Sequence, residues 1–378
     1  MNTGRAHIPG LYIHFPFCRS KCGYCDFYSV TGTSLVPSFL EALSTEAALY
    51  RGEFTTFDTV YLGGGTPSLM RPEQVDALLV MLRGTFAILD NAEITMELNP
   101  ADLTREDLRA LYQAGVNRVN IGVQSFHDQK LQLMGRRHDR RQALSAIEEA
   151  AAAGFDNIGL DLIYNLPHQS LEDWRASLEQ AIALHPAHLS CYELELKPDT
   201  PLGRKFGRGE CAGRSEDLAR EFFMETSKTL EEAGYIHYEV SNFAAGMGRA
   251  SRHNRKYWDH TPYLGLGPAA HSFEGTRRWW NRSSLKGYLT DLSNRKRPVE
   301  GQEDLRSEEL AMEALFLGLR TKEGIDLDRY VRLYGRDLMR ENRHQIEEWS
   351  RLGLVEISGG HIRPTRSGMA VADALAMI

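Results

Sequence analysis

The first 200 or so residues alternate short apolar segments with amphipathic ones, and this alternation limits the fold more than any other feature. Six segments have the length and composition of strands, at about 11–15, 58–62, 93–97, 118–123, 157–163 and 188–194. Helical periodicity lies between them, at about 35–51, 72–83, 104–114, 139–153 and 170–184. Two helix starts carry a capping-box pattern, Thr104 with Asp107 and Ser170 with Asp173. Six strands that alternate with five helices predict a parallel α/β sheet, doubly wound or curled.

Three cysteines lie within eight residues, directly after the first strand-like segment. They are Cys18, Cys22 and Cys25, with the spacing C-x3-C-x2-C. Three thiolates can hold three irons of a cubic iron–sulfur cluster, which leaves the fourth iron open to an exchangeable ligand. The loop would lie at the carboxyl end of a strand, where α/β folds place their chemistry. The alternative is a structural zinc site with His14 as fourth ligand, although such sites favour a second ligand pair that does not follow here.

Polar residues accompany the later strand-like segments. Gly63–Gly65 and Thr66 follow the second segment, Glu97 ends the third, Gln124 follows the fourth and Asp161 lies in the fifth. A glycine-rich turn, or a polar group satisfied within the structure, would explain each feature singly. Because the carboxyl ends of successive parallel strands meet at one edge, we expect these side chains to surround a polar ligand there.

The cysteine triplet and four downstream stretches resemble the radical S-adenosylmethionine (SAM) superfamily. The stretches are Tyr61–Pro67, Met96–Pro100, Ile121–Phe126 and Leu160–Pro167. In this order they resemble the branch that contains oxygen-independent coproporphyrinogen III oxidase and the HemW heme chaperones, over nearly the whole chain. The resemblance implies a partial (β/α)6 barrel with a [4Fe-4S] cluster on the three cysteines and SAM on the open iron. In that superfamily an electron donor reduces the cluster, and SAM is then cleaved to a 5′-deoxyadenosyl radical.

The resemblance also assigns SAM-contacting positions. They are Tyr12, Tyr24, Gly64, Gly65, Thr66, Glu97, Gln124, Arg136 and Asp161. Gly64–Thr66 correspond to the segment that contacts the SAM amino group, and Tyr24 to an aromatic residue near the adenine. Arg136 corresponds to a basic residue that contacts the SAM carboxylate, and Arg137 is the alternative candidate for this role.

Two features make the chain resemble the heme chaperones more than the oxidases. The oxidases extend the cysteine motif to a fourth cysteine, where this chain has Phe27. The stretch His253–Trp258 has the pattern HNxxYW, which is typical of HemW-like proteins. The resemblance implies that the protein binds heme and transfers it to an acceptor protein. Respiratory and membrane-associated proteins are among the candidate acceptors. His253 is the first candidate heme contact and His271 the second, and a radical SAM enzyme such as the oxidase is the alternative function.

A change in composition near residues 294–306 predicts a domain boundary. We expect a barrel at 1–240, a connecting region with the HNxxYW motif at 241–300 and a smaller domain at 301–378. Helix-like stretches followed by a hairpin pattern around Gly359 and Gly360 predict a helical, winged-helix-like C-terminal domain. Residues 306–378 contain 11 Lys and Arg against 12 Asp and Glu. This balance disfavours a nucleic-acid-binding regulator, so we expect no nucleic-acid partner and interpret the domain as a cap or docking surface.

Composition and charge fit a cytoplasmic protein. The net charge of −7 gives no basic footprint, and the five cysteines imply no disulfide framework and a reducing setting. Residues 1–7 lack the apolar core of a signal peptide, and no apolar run is long enough to span a bilayer. We expect a cytoplasmic location, with or without loose membrane association. Cys191 is expected in the core and Cys211 on the surface.

Overall fold

The computed structural model describes residues 8–210 and 215–376, so the predictions for residues 1–7 and for Cys211 lie outside the described residues. The strands, in chain order, are β1 (Gly10–Phe15), β2 (Phe17–Cys18), β3 (Val30–Thr31), β4 (Thr56–Gly64), β5 (Ala87–Leu98), β6 (Arg118–Gln124), β7 (Ile158–Tyr164), β8 (His188–Glu193), β9 (Ile236–Glu239), β10 (Asn242–Ala244), β11 (Tyr263–Leu266), β12 (His271–Glu274), β13 (Arg277–Asn281), β14 (Val299–Asp304), β15 (Ile325–Asp326), β16 (Val355–Ser358) and β17 (His361–Pro364).

The helices, in chain order, are α1 (Val36–Leu49), α2 (Pro72–Thr85), α3 (Arg105–Ala114), α4 (Asp128–Leu133), α5 (Arg140–Ala153), α6 (Leu171–Ala183), α7 (Pro201–Gly207), α8 (Glu216–Glu232), α9 (Arg252–Trp258), α10 (Leu285–Ser293), α11 (Ser307–Gly318), α12 (Leu327–Tyr334), α13 (Leu338–Glu341), α14 (Arg343–Arg351), α15 (Arg366–Met369) and α16 (Ala372–Leu375). The predicted capping boxes of α3 and α6 are confirmed, because Thr104 and Ser170 each accept the backbone N–H three residues on.

Six parallel strands run consecutively through the large sheet, in the order β1-β4-β5-β6-β7-β8. Because this order never reverses, the crossovers all wind in one sense and their helices cover one face, unlike those of a doubly wound sheet. β1 and β8 each pair with other strands rather than with one another. The six strands therefore form the predicted partial (β/α)6 barrel, open between β8 and β1.

Later strands extend this sheet at both edges. β10 and β9 add antiparallel beyond β8, while β11 pairs parallel with β1 and is followed by β12, β13 and β14. The predicted connecting region at 241–300 is thus built into the sheet, and residue 240 falls between the paired β9 and β10. Phe243, Leu264 and Trp279 from this region share the main core with Leu11. The sequence pattern of these strands did not predict this extension of the sheet.

The two faces of the barrel strands differ in polarity. The apolar set, such as Leu11, Val60 and Leu160, packs in one core with the helices. Strand residues alternate between faces, so the opposite face carries polar side chains such as Thr59 and Asn120. Cys191 belongs to the apolar core and is 2% exposed, as predicted. A polar interior of this kind suits a ligand site rather than a packed barrel centre.

The C-terminal residues form a smaller unit with its own core. Leu315, Tyr330, Ile346, Trp349 and Ile362 pack together there. The helices are followed by the predicted hairpin β16–β17, and β15 pairs along β17 to complete a three-stranded sheet. This is the winged-helix-like arrangement expected from the sequence. Across residues 8–210 and 215–376, no helix combines the length and apolarity needed to cross a membrane.

Candidate functional site

The cysteine loop leaves the carboxyl end of β1 and is held by backbone hydrogen bonds on both sides. The N–H of Gly23 donates to the carbonyl of Met134 (2.9 Å), and the N–H of Leu202 donates to the carbonyl of Gly23 (2.7 Å). Met134 follows β6 and Leu202 follows β8. The loop is therefore clamped between two segments that emerge from the same edge of the barrel.

The three thiols lie at this edge in different degrees of burial. Cys18 is buried, whereas Cys22 and Cys25 are half-buried. The hydroxyl of Thr66 donates to Sγ of Cys18 (3.4 Å), and Nη1 of Arg136 donates to Sγ of Cys22 (3.5 Å). Hydrogen bonds to the charged form of a sulfur stabilise the thiolate, the form that ligates iron. Two of the predicted SAM residues thus also contact predicted cluster ligands.

The zinc alternative fits the loop less well than the cluster. Within the described ranges, no three His, Cys, Asp or Glu side chains converge on one ion position. A cubic cluster needs no such convergence, because each thiolate binds a different iron. His14 has both ring nitrogens paired, Nδ1 with the hydroxyl of Tyr12 (3.1 Å) and Nε2 with the carbonyl of Tyr28 (2.9 Å). Both nitrogens of His14, the fourth ligand of the zinc alternative, are therefore engaged in hydrogen bonds within the protein.

Two glycines bring the backbone after β4 against the cysteine loop. A Cβ at Gly65 would lie 2.7 Å from the carbonyl oxygen of Phe17 and 3.1 Å from Sγ of Cys18. Gly64 has a φ of 107°, and a Cβ there would meet the ring of His14 at 2.8 Å. Side chains larger than hydrogen are therefore excluded at both positions. Because these positions are glycines, the backbone after β4 can lie directly against the cysteine loop.

A cavity of about 100 Å³ lies beside the cysteine loop. Six of the nine predicted SAM residues line it, namely Gly65, Thr66, Glu97, Gln124, Arg136 and Asp161. It is also lined by Pro67, Leu98, Asn99, Asn120 and Gly122, which were not predicted as SAM contacts. The predicted convergence on four neighbouring strands, β4 to β7, is therefore present. Asp161 lies in the middle of β7 rather than at its end. We name this space the strand-end cavity.

The remaining predicted SAM residues lie next to the strand-end cavity rather than in its wall. Tyr24 packs against an apolar cluster that includes Leu131 and Met134, and it lies beside Arg136. Gly64 precedes the lining residue Gly65 and presses against His14 instead. Arg137, the substitute for Arg136, pairs with Asp102 (3.1 Å) and is absent from the cavity wall.

The backbone at Gln124 is unusual. Its φ is 66°, in the left-handed region that residues other than glycine rarely adopt. The pairing of β6 with β7 also shifts register between Ile121 and Gln124. Such irregularities re-aim side chains next to active sites, and strained backbone is typical of functional positions. Here the irregularity turns the Gln124 amide into the strand-end cavity.

Two buried carboxyl groups give the strand-end cavity its electrostatics. The hydroxyl of Tyr61 donates to Oε1 of Glu97 (2.8 Å), and Nδ2 of Asn120 donates to Oδ2 of Asp161 (2.6 Å). Burial, together with the charge of Asp161, raises the pKa of Glu97 to about 7. Burial also raises the pKa of Asp161. A cationic ligand between the two groups would stabilise both ionised forms.

Unpaired polar atoms around the cavity test whether a polar ligand fits. Oδ1 of Asn120, Oδ1 of Asp161 and Nε of Arg136 are buried without a hydrogen-bond partner. Buried polar atoms are almost always paired, so these atoms mark positions where a ligand would complete the site. Asn120 had a signal in the sequence, because Asn120, Gly122 and Gln124 alternate along one strand as residues on one face do.

The HNxxYW motif forms α9, which begins against the barrel. The carboxylate of Glu93 on β5 accepts the backbone N–H groups of Arg252 and His253, both at 3.1 Å. An acidic side chain at a helix N-terminus satisfies otherwise unpaired N–H groups. Lys256 adds an ion pair with Asp58 (2.7 Å). The motif is therefore fixed to the strands that also build the strand-end cavity.

His253, the first predicted heme contact, is fully engaged within the protein. It is 1% exposed, and its Nδ1 pairs with the hydroxyl of Thr59 while its Nε2 pairs with the hydroxyl of Tyr257, both at 2.8 Å. Burial lowers the pKa of His253 to about 3, so the ring is neutral. Coordination of heme iron would require one of these bonds to break. In this structure His253 positions Tyr257 instead of presenting a free nitrogen.

A second cavity, of about 340 Å³, lies behind the first. Tyr12, Tyr61, His253 and Tyr257 line it, and Glu97 lines both cavities. The ring of Tyr12 lies 6.3 Å from that of His253. Tyr12, predicted as a SAM contact, therefore lies between the strand-end cavity and the HNxxYW motif. We name this space the tyrosine cavity.

Two family models match the chain. The model of the Radical SAM superfamily matches residues 12–181, and that of the HemN C-terminal domain matches residues 305–371. The first range covers the cysteine loop and the strand-end cavity, and the second covers the C-terminal unit. A [4Fe-4S] cluster and SAM are the cofactors that the superfamily implies.

Full-length relatives are similar along almost the whole chain. The heme chaperone HemW of Mycobacterium tuberculosis (strain ATCC 25618 / H37Rv) is 35% identical over 98% of this chain and 96% of its own length. The heme chaperone HemW of Bacillus subtilis (strain 168) is 33% identical over 96% of both chains.

The fold is also that of a solved structure. Coproporphyrinogen III oxidase (HemN) from Escherichia coli, described as a radical SAM enzyme, superposes with a TM-score of 0.86. The match covers 99% of this chain and 91% of that one at 23% sequence identity, so it bears on the fold alone. Together with the full-length relatives, these findings confirm the resemblance drawn from the motifs. The chain belongs to the HemW family of the radical SAM superfamily.

Proposed function

We propose that this protein is a heme chaperone that binds heme and transfers it to an acceptor protein. The observation that carries the proposal is the 35% identity to a heme chaperone over 98% of the chain. The cysteine loop agrees with it, since Phe27 stands at the position of the oxidases' fourth cysteine and is 65% exposed. The same proposal includes an acceptor protein and an electron donor as partners. It also includes a cytoplasmic location, with or without loose membrane association.

We assign the cofactors of this proposal to the cysteine loop and the strand-end cavity. Cys18, Cys22 and Cys25 would hold a [4Fe-4S] cluster, and the strand-end cavity would hold SAM. Arg136 and Gln124 would orient its polar groups, and Glu97 would lie near its positive charge. When bound, the reduced cluster supplies one electron to the SAM sulfonium. The unpaired atoms of Asn120 and Arg136 support a ligand of this polarity.

A radical SAM enzyme is the second candidate function. The strand-end cavity supports it, because six of the residues predicted to contact SAM line this cavity beside a three-cysteine loop. Oxygen-independent coproporphyrinogen III oxidase is the specific form of this alternative. It predicts turnover of a porphyrinogen, whereas a chaperone binds heme stoichiometrically and releases it unchanged.

An anaerobic heme titration of cluster-reconstituted protein tests the proposal. We expect saturation at about one heme per chain, followed by transfer of that heme to an added apo-heme protein. Coproporphyrinogen III incubated with protein, SAM and reductant should remain unconverted. Absence of saturable heme binding would overturn the chaperone proposal. Formation of protoporphyrinogen would establish the enzymatic alternative.

The cluster ligands are tested by a matched pair of substitutions. Cys22→Ser should lower the iron and sulfide content of the reconstituted protein to that of a cluster-free sample. Cys191→Ala should leave it unchanged, because Cys191 lies in the apolar core on β8. Equal iron loading of both variants would contradict the assignment of the cluster to the loop.

A further inference from the structure

A cleft of about 690 Å³ lies between the sheet extension and α11, outside the strand-end cavity. Its walls are mainly aromatic and include Tyr263, Phe273, Trp280 and Phe316. Pockets for drug-sized ligands span about 300–1,000 Å³ and are lined mostly by apolar and aromatic side chains with a few polar groups. The cleft therefore has the volume and the lining for a large flat apolar ligand. We name it the α11 cleft.

His271 presents the one exposed imidazole in the wall of the α11 cleft. It begins β12, its side chain is exposed, and in the described part of the chain its ring nitrogens make no hydrogen bond. Its ring stacks beside that of Trp280, at 5.9 Å between centroids and 27° between planes. Burial of part of the ring lowers the pKa of His271, so the imidazole is neutral at neutral pH. Neutral imidazole is the form that binds metals.

His260, the other histidine in the cleft, is less available. Its Nδ1 pairs with the hydroxyl of Tyr334 (3.1 Å), and its Nε2 lies 3.4 Å from a carboxylate oxygen of Glu313. Each charged side chain of the cleft already has an oppositely charged partner, because Arg278 pairs with both Glu303 and Glu313. An apolar ring system entering the cleft would not have to bury an unpaired charge.

We infer that the α11 cleft is the heme site and that His271 supplies the axial ligand to the heme iron. The inference rests on the proposed heme-chaperone function and deepens it, because it places the cargo at a site other than the HNxxYW histidine. In this arrangement Trp280 lies beside the His271 imidazole, and Phe273 and Phe316 pack against the porphyrin of the heme. Heme iron is commonly held by one histidine, with its affinity set by the surrounding apolar pocket.

The surroundings of the cleft fit the delivery of a cargo. Phe316 in its wall is 41% exposed, and Met312, one turn earlier on α11, is 60% exposed. Exposed apolar residues at the mouth of a site are typical of surfaces that a partner covers. An acceptor protein docking there would reach the heme without any opening of the barrel.

The α11 cleft is linked to the strand-end cavity by residues that line two neighbouring cavities each. Tyr257 lines both the cleft and the tyrosine cavity, and Glu97 lines both the tyrosine cavity and the strand-end cavity. Tyr257 packs edge-on against Tyr263 of the cleft, at 4.7 Å between centroids. His253 is thus a positioning residue, which acts on the heme site through the Tyr257 hydroxyl.

The test compares His271→Ala, His253→Ala and His344→Ala in anaerobic heme titrations. His344 is an exposed histidine on α14, away from the cleft, and serves as the matched control. We expect His271→Ala to weaken heme binding about tenfold or more and to shift the Soret band, with recovery of the wild-type spectrum on addition of free imidazole. His253→Ala should weaken binding without that recovery. His344→Ala should match wild type in both affinity and spectrum.

The outcomes separate the site from the function. If wild type binds heme and His271→Ala retains both affinity and Soret position, the site assignment is overturned while the chaperone proposal stands. A Soret shift in His253→Ala that imidazole reverses would place the iron at the HNxxYW motif instead. No saturable binding by wild type would refute the chaperone proposal itself. Circular dichroism of each variant shows whether it is folded.

Discussion

Gly65→Ala should disable the cysteine loop while leaving the barrel folded. The added methyl group would lie 2.7 Å from the carbonyl oxygen of Phe17, 2.9 Å from that of Phe15 and 3.1 Å from Sγ of Cys18. The two carbonyls belong to the backbone that presents Cys18, and the Phe15 carbonyl accepts the N–H of Gly65 itself (2.7 Å). A flexible side chain could turn away, but these backbone atoms cannot move without displacing the loop.

The size of the effect follows from these contacts. The shortest contact must widen by at least 0.3 Å before it reaches 3.0 Å, a separation that real Cβ atoms rarely go below. Overpacking by one methyl group costs about 1–3 kcal/mol in a site that cannot relax. That cost falls on the segment that places Cys18, so we expect Gly65→Ala to retain less than about half of the wild-type cluster.

Gly84→Ala is the matched control. Gly84 lies in α2, and a Cβ there would meet no atom within 4 Å. Replacing a helical glycine by alanine stabilises a helix by about 0.5–1 kcal/mol. Iron and sulfide are measured after anaerobic reconstitution, and the free energy of unfolding by urea titration. Full cluster content in Gly65→Ala at unchanged stability would refute the claim that this glycine is sterically required.

Three further predictions concern charged groups. Because the pKa of Glu97 is raised to about 7, SAM affinity in equilibrium dialysis should rise about tenfold from pH 6 to pH 8 as Glu97 ionises, and Glu97→Gln should flatten that rise. Burial raises the pKa of Glu46 from 4.5 to about 7. The contribution of Glu46 to the free energy of unfolding is therefore complete below pH 4.5, and about 3 kcal/mol of it is lost as the pH rises to 7. Urea titrations of Glu46→Gln at several pH values should lack this loss. Arg136→Ala should weaken SAM binding about tenfold or more, whereas Arg137→Ala should bind SAM like wild type.

Much of the fold could be predicted because the barrel strands are buried on one face by helices. Each of the six predicted strands overlaps an observed one, since short segments that alternate apolar with more polar residues, such as Leu160–Leu162, carry a strong strand signal. The sheet extension was missed because its strands are short and mix polar with aromatic residues, as in Arg277–Asn281. Such segments become strands by pairing with a neighbour already in place, which local sequence does not reveal.

The candidate site divides in the same way. Residues in local motifs, such as Gly65 and Gln124, could be placed from the order of the strands alone. The environment of His253 could not, because its partner Thr59 lies 194 residues away in the chain. A histidine in a motif is equally compatible with a free ligand and with a buried hydrogen-bonded ring. Only the structure distinguishes the two, and here it shows the second.

The paired state of His253 gives the HNxxYW motif a physical role that differs from direct ligation. The motif fixes α9 to β5, and its histidine holds the Tyr257 hydroxyl at 2.8 Å. Removing either partner would leave a buried polar group unpaired, at a cost of about 1–3 kcal/mol. Since Tyr257 forms part of the wall between the tyrosine cavity and the α11 cleft, the state of one space constrains the shape of the other.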